Sequence, residues 1–268
     1  MKLDILDCFC TADEFSGNRA AVITNFSGGK AEKQKFALEL NLPVTVYISN
    51  IDADIPLLEY FYPDSEMPLC LHGTIAAGKV LMHGKEEGRC TFITPSQYPL
   101  NVTQCGSLIQ VEVSQQASPL ISIETFTVCQ MLNLLDESQL DMQVSFTISS
   151  VGSPKLFVSI KSKEQLLKLN PNFALIKKWS VENQINGLFV YSSESSENDY
   201  VARAFNPKTG HNEDAATGVA TAALALLLKK TLVIAQGENL GTPCKILTTY
   251  IDDKHILVGG NVVLRKSQ

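Results

Sequence analysis

With 268 residues, 45% of them hydrophobic and 19% charged, the chain carries enough apolar material for one or two buried cores, and wholesale disorder is excluded. A formal charge of -6, with lysines and arginines scattered rather than clustered, leaves no basic stripe for nucleic acid. The longest apolar run, Ala222 to Leu228, falls far short of a membrane span, so neither a nucleic-acid nor a membrane partner is expected.

Along the chain, apolar alternation or short apolar runs predict strands at Leu3–Phe9, Val44–Ile48, Leu57–Tyr62, Cys90–Ile93 and Leu108–Val113. Helix formers without internal proline predict helices at Ala31–Leu40 and His72–Met82. From about Ser118 the pattern starts again, with a helix at Glu124–Leu134, strands at Val144–Ser149, Leu156–Ile160, Gly187–Tyr191 and Tyr200–Phe205, and a long helix at Ala216–Lys230. Two halves of similar content, 1–117 and 118–268, are expected, with the last strand free to pack on the first half. The polar run Ser192–Asn198 reads as a solvated loop between strands.

Asp4 and Asp7 interrupt the stretch where an export signal would need an apolar centre, so the cytoplasm is the expected compartment. Seven cysteines without a Cys-x-x-Cys pair fit neither a disulfide framework nor a structural zinc site, and no metal is expected. Cys8 and Cys10, at strand spacing, are expected to share one face as small apolar side chains.

The chemistry concentrates where the two central helices begin, at Cys70-Leu71-His72-Gly73-Thr74 and at Asp214-Ala215-Ala216-Thr217-Gly218. Free backbone N–H groups at a helix start favour an anion, and glycine lets a ligand approach the backbone. Taken alone, a carboxylate ahead of a helix commonly serves as its N-cap, and a single histidine more often has a structural role.

Several short segments, in order, resemble the phenazine-biosynthesis PhzF-like family. They are Phe15-Ser16-Gly17-Asn18, Phe61-Tyr62-Pro63 with Glu66, Leu69-Cys70-x-His72-x-Thr74, and Ser150-Val151-Gly152-Ser153-Pro154. Further on come Leu169-Asn170-Pro171-Asn172-Phe173, Arg203-x-Phe205-x-Pro207, Glu213-Asp214-x-x-Thr217-Gly218, Gln236-Gly237 and Val258-Gly259-Gly260. The resemblance implies an α+β fold of the diaminopimelate epimerase type, in which two pseudo-twofold-related domains, each a mixed β-sheet wrapped around a central helix, flank an active-site cleft. It further implies a cofactor-independent isomerase or epimerase that moves a proton on a small carboxylate-bearing substrate, and a homodimer. By the same resemblance Asp214 and His72 are the catalytic candidates, and Asn18, Gly73, Thr74, Thr217 and Gly218 the substrate-binding ones.

The sequence departs from that pattern near the expected cleft. In the family a glutamate of an Asn-Leu-Ser-Glu-Thr segment is the principal base; here the segment reads Asn41-Leu42-Pro43-Val44-Thr45, and Val44 can neither take nor give a proton. Leu71, Val219 and Thr242 also replace family residues. Cys70, at a helix start where a thiol is acidified, is an alternative base, and Glu66, Asp64 and Glu213 are nearby carboxylates. Two functions follow as expectations: an isomerase working through Asp214 and His72, or a catalytically degenerate descendant that binds a small anion or a partner.

Overall fold

A computed structural model describes residues 1–12, 15–144, 146–194 and 199–267. The first elements in chain order are β1 (Lys2–Cys10), β2 (Asn18–Thr24), α1 (Lys30–Leu40), β3 (Val44–Ser49), β4 (Leu57–Phe61), β5 (Glu66–Met67), α2 (Leu71–Leu81), β6 (Glu87–Ile93), β7 (Pro99–Cys105) and β8 (Leu108–Ser114). Next come α3 (Thr125–Leu132), β9 (Thr147–Ser149), β10 (Lys155–Ser159), α4 (Lys163–Lys168), α5 (Phe173–Glu182), β11 (Leu188–Ser193) and β12 (Asp199–Asn206). The series ends with β13 (His211–Asp214), α6 (Gly218–Leu228), β14 (Val233–Gln236), β15 (Cys244–Tyr250) and β16 (His255–Ser267). The fold is α+β and divides into two units, Met1–Val113 with Thr242–Lys245 and Leu257–Gln268, and Ser114–Gly241 with Ile246–Ile256.

In the first unit the ladder runs β1-β2-β3-β4-β6-β7-β8-β16, and β16 pairs again with β1, so the sheet closes on itself. It is a mixed sheet, with β2 and β3 parallel and β3 and β4 antiparallel. Helix α2 packs against β1, β2, β3 and β7. Enclosed in this way, it buries every residue from Leu71 to Gly78, as a helix without a polar face must. Its small residues set the spacing: a Cβ at Gly78 would stand 2.7 Å from Val102 Cγ1. On the outside, α1 covers Ile23, Tyr47 and Phe61. Lys33 of α1 pairs with Glu59, and the Tyr47 hydroxyl donates to the Lys33 carbonyl at 2.9 Å.

In the second unit the ladder runs β9-β10-β11-β12-β14-β15, with β13 beside β12. Helix α6 is buried at Gly218 and from Ala220 to Leu226. Strand alternation gives the sheet two distinct faces. Leu156, Val158, Leu188, Val190, Val201 and Phe205 join the apolar core formed with α3, α4 and α5. Lys155, Phe157, Phe189 and Ala204 occupy the alternate positions. Asn172 starts α5 as its N-cap, accepting from the Leu175 N–H at 3.0 Å.

The predicted helices His72–Met82 and Ala216–Lys230 form as α2 and α6, each shifted or shortened by one or two residues. Ser192 and Ser193, read as loop, extend β11, and residues 195–198 of that loop lie outside the described residues. Between Cys8 and Cys10 the β1–β16 register shifts, with Phe9 at φ 62, so the two thiols are not spaced as on a regular strand.

Candidate active site

In the first unit Cys70 is the N-cap of α2, with extended backbone and no side-chain cap of its own. His72, buried at 7% exposure, has Nδ1 3.2 Å from Cys70 Sγ, a thiol–imidazole contact across two residues. The Cys8 thiol donates to the His72 carbonyl at 3.4 Å. Burial, with Cys10, Cys70, Asp7 and Cys244 around it, pushes the Cys8 thiol well above its ordinary value, so it is a neutral packing group. Asn18, 3% exposed, lies opposite Cys8 on β2 and so belongs to the same neighbourhood.

Gly73 and Thr74 are held more by packing than by exposure. A Cβ at Gly73 would meet Val46 Cγ2 at 2.7 Å and Tyr60 Cδ1 at 3.2 Å, so glycine is what lets α2 lie against β3 and β4. Gly73→Ala is therefore expected to lower unfolding free energy by about 1–3 kcal/mol, the usual cost of overpacking; an unchanged urea midpoint would show that the helix start has room to move. The Thr74 hydroxyl donates to the Cys70 carbonyl at 2.9 Å and lies 2.7 Å from the Tyr60 hydroxyl, both buried. Val44 opens β3 opposite Ala20, two residues before Val46 and so on its face, and is wholly buried.

In the second unit Asp214 ends β13, opposite Ala204 of β12. The N-cap of α6 is Thr217, so the capping expectation for Asp214 is corrected: it stands three residues ahead of that position. Its carboxylate is nevertheless fastened to the helix start, Oδ2 accepting from the Thr217 hydroxyl at 2.7 Å and Oδ1 from the Ala216 N–H at 3.4 Å. Gln236 locks the arrangement from β14. Its Nε2 donates to the Asp214 carbonyl at 2.6 Å and to Thr217 Oγ1 at 3.2 Å, while its Oε1 accepts from the Thr217 N–H at 3.1 Å. Gly218 follows as the first residue of α6.

The other carboxylates weighed from sequence have different employment. Glu66 pairs with Lys30, and Asp64 is exposed. Glu213 receives the Arg203 guanidinium in two bonds, Nε to Oε1 at 2.8 Å and Nη2 to Oε2 at 2.7 Å. Arg203 Nη1 also donates to the carbonyls of Leu166 and Leu169, which ties β12 to the end of α4. Two residues passed over as site candidates matter here. Gln236 stands 22 residues from Asp214 and offered only a polar side chain before a glycine. Lys155 is a charged residue opening the otherwise apolar strand β10. Among the described residues no group of three or more His, Cys, Asp or Glu side chains is placed to hold a metal ion, and no helix is long and apolar enough to cross a membrane.

A mixed sheet with a buried central helix is the epimerase-type α+β fold. The same fold recurs in a hydroxyproline epimerase of Agrobacterium vitis, with a TM-score of 0.60 at 9% identity, covering 100% of this chain and 91% of that one. It recurs more closely in a PhzF-family phenazine biosynthesis protein of Enterococcus faecalis, with a TM-score of 0.78 at 25% identity, covering 99% and 97%. A Clostridium acetobutylicum protein named as an uncharacterized isomerase is 32% identical over 246 residues, 83% of this chain and 77% of that one. The family model described as phenazine biosynthesis-like protein, PhzC-PhzF, matches residues 6–267. The chain belongs to that family.

Proposed function

We propose that the protein is a cofactor-independent isomerase that moves a proton on a small carboxylate-bearing metabolite. The observation that supports it is the Asp214 centre: a partly buried carboxylate whose oxygens and carbonyl are oriented by Thr217, Ala216 and Gln236 ahead of a largely buried helix. Proton transfer at carbon needs a base held in one geometry, and charge developing on the substrate needs donors that do not reorganise. Asp214 takes the proton as base and returns it as acid. His72 donates to the substrate or relays a proton, with Cys70 beside it as the alternative partner. Backbone N–H groups at the start of α6 bind the substrate carboxylate.

One observation favours a second reading, a family member that binds a small anion without turning it over. Val44, at the family's glutamate position, is wholly buried and supplies no acid or base. The test is incubation of the purified chain in deuterated buffer with a panel of small carboxylates, including a dihydro-hydroxyanthranilate and several amino and hydroxy acids, read by mass spectrometry. Deuterium is expected at carbon in at least one of them. Compounds that bind measurably and take up none would overturn the isomerase reading for those ligands and leave the binding protein. In the same assay Val44→Glu is expected to raise incorporation at least tenfold if the missing base limits the rate, with a stability cost of about 2–4 kcal/mol for a carboxyl placed at a dry position. Turnover in the variant where the native chain shows none favours the binding reading.

A further inference from the structure

Lys155 is 1% exposed, at the start of β10, and the chemistry assigned so far gives it no task. Its side chain leaves the strand on the face away from the apolar core of α3, α4 and α5, because Leu156 and Val158 face that core. The β10–β11 register sets Leu156 opposite Leu188, which places Lys155 beside Gly187. The β11–β12 register sets Leu188 opposite Phe205, which places Gly187 beside Asn206. A side chain at 187 is forbidden, since its Cβ would fall 1.9 Å from the Phe205 carbonyl oxygen at φ +79. Across that gap the Lys155 amine reaches Asn206 Oδ1, and it also donates to the Asn186 carbonyl at 2.6 Å.

Asn206 and Ala204 are two residues apart on β12, and Ala204 is the strand partner of Asp214. The amine is thus lodged beneath the β12–β13 hairpin that carries Asp214. The other charged groups of the surrounding elements are spoken for or turned elsewhere. Glu213 neighbours Asp214 on β13 and is held by Arg203, which lies with Val201 and Phe205 on the face of β12 opposite that of Ala204 and Asn206. His211, opposite Asn206, is exposed, and Lys208 donates to the Ile185 carbonyl. Ser149, opposite Lys155 on β9, carries no charge. Burial pulls the Lys155 amine down to about 7, and the negative charge of Asp214 acts in the opposite sense, favouring the ammonium.

We propose that Lys155 is the positioning residue of the Asp214 centre, a buried counter-charge that acts on it from beneath the β12–β13 hairpin. Its part in turnover rests on the reading of Asp214 given above. The amine lies too deep to touch substrate and acts through the hairpin.

The test begins with the full chain labelled with ¹³C at the lysine ε carbons and titrated by NMR. One lysine signal, absent from Lys155→Met, is expected to titrate near neutral pH, and in Asp214→Asn its midpoint is expected to fall by about one pH unit because the favouring charge is gone. If Lys155→Met does not fold, Asn206→Ala identifies the signal by moving it alone. A buried signal that titrates like the surface lysines, or a midpoint unmoved by Asp214→Asn, overturns the proposal. Where the native chain exchanges deuterium into a substrate, the rate is expected to carry an inflection near pH 7 that Lys155→Met removes, and an unchanged profile overturns the positioning role. Coupled titration with no exchange on any substrate upholds the counter-charge and overturns the isomerase reading instead.

Discussion

Asp214→Asn is expected to slow deuterium incorporation into substrate by about 10²- to 10⁴-fold, the loss typical of removing a positioned base. The exchange is nearly isosteric. The Ala216 N–H keeps an oxygen acceptor, and the Thr217 hydroxyl can turn to accept from the new amide. The fold should therefore survive with a cost of about 1 kcal/mol. Circular dichroism and a urea curve establish that the variant is folded, and the rate then reports on the carboxylate alone. A rate within tenfold of the native chain would remove Asp214 from the role of base and turn attention to Cys70 and His72.

Arg203→Met is expected to lower unfolding free energy by about 3–5 kcal/mol at neutral pH, measured by urea denaturation. The reason is not the net worth of the ion pair, which desolvation largely cancels. Removing the guanidinium strands the Glu213 carboxylate at 10% side-chain exposure and takes away the donors to the Leu166 and Leu169 carbonyls. Arg203→Met with Glu213→Gln should recover about half of the loss, because the stranded charge is gone while the carbonyls still lack their donor. Equal destabilisation in the single and double variants would mean that the carbonyl contacts carry the whole effect.

The two central helices were legible because a helix enclosed on all sides has to be small and apolar throughout, and few other segments can be. Strand β16 was hidden by Gly259 and Gly260, which argue against a strand until the neighbours are known: a Cβ at Gly259 would lie 1.8 Å from the Ile109 carbonyl oxygen. Strand β13, His211–Asp214, is four polar residues whose place is set by β12 rather than by any pattern of its own. The same division holds for the site. Asp214, Thr217, His72 and Cys70 sit in contiguous segments beside helix starts and could be singled out by that place together with the family resemblance. Gln236 and Lys155 could not, because the first reaches Asp214 with its side chain from a strand 22 residues away and the second across the gap left by the missing side chain at Gly187.

The pairing of β1 with β16 has a consequence for the order in which the chain acquires structure. Asp4 lies against Ser267 and Leu6 against Leu264, so β1, made before the other strands described, waits for β16 before its barrel can close. Until then the strand edge of β1 stands open, an invitation to mispairing that lasts while the roughly 250 residues between the two strands are made. Contacts so distant in sequence also make for slow closure once the chain is free. Shortening the chain by even the length of β16 should therefore cost the first unit its barrel, although the residues removed lie at the opposite end of the sequence from most of it.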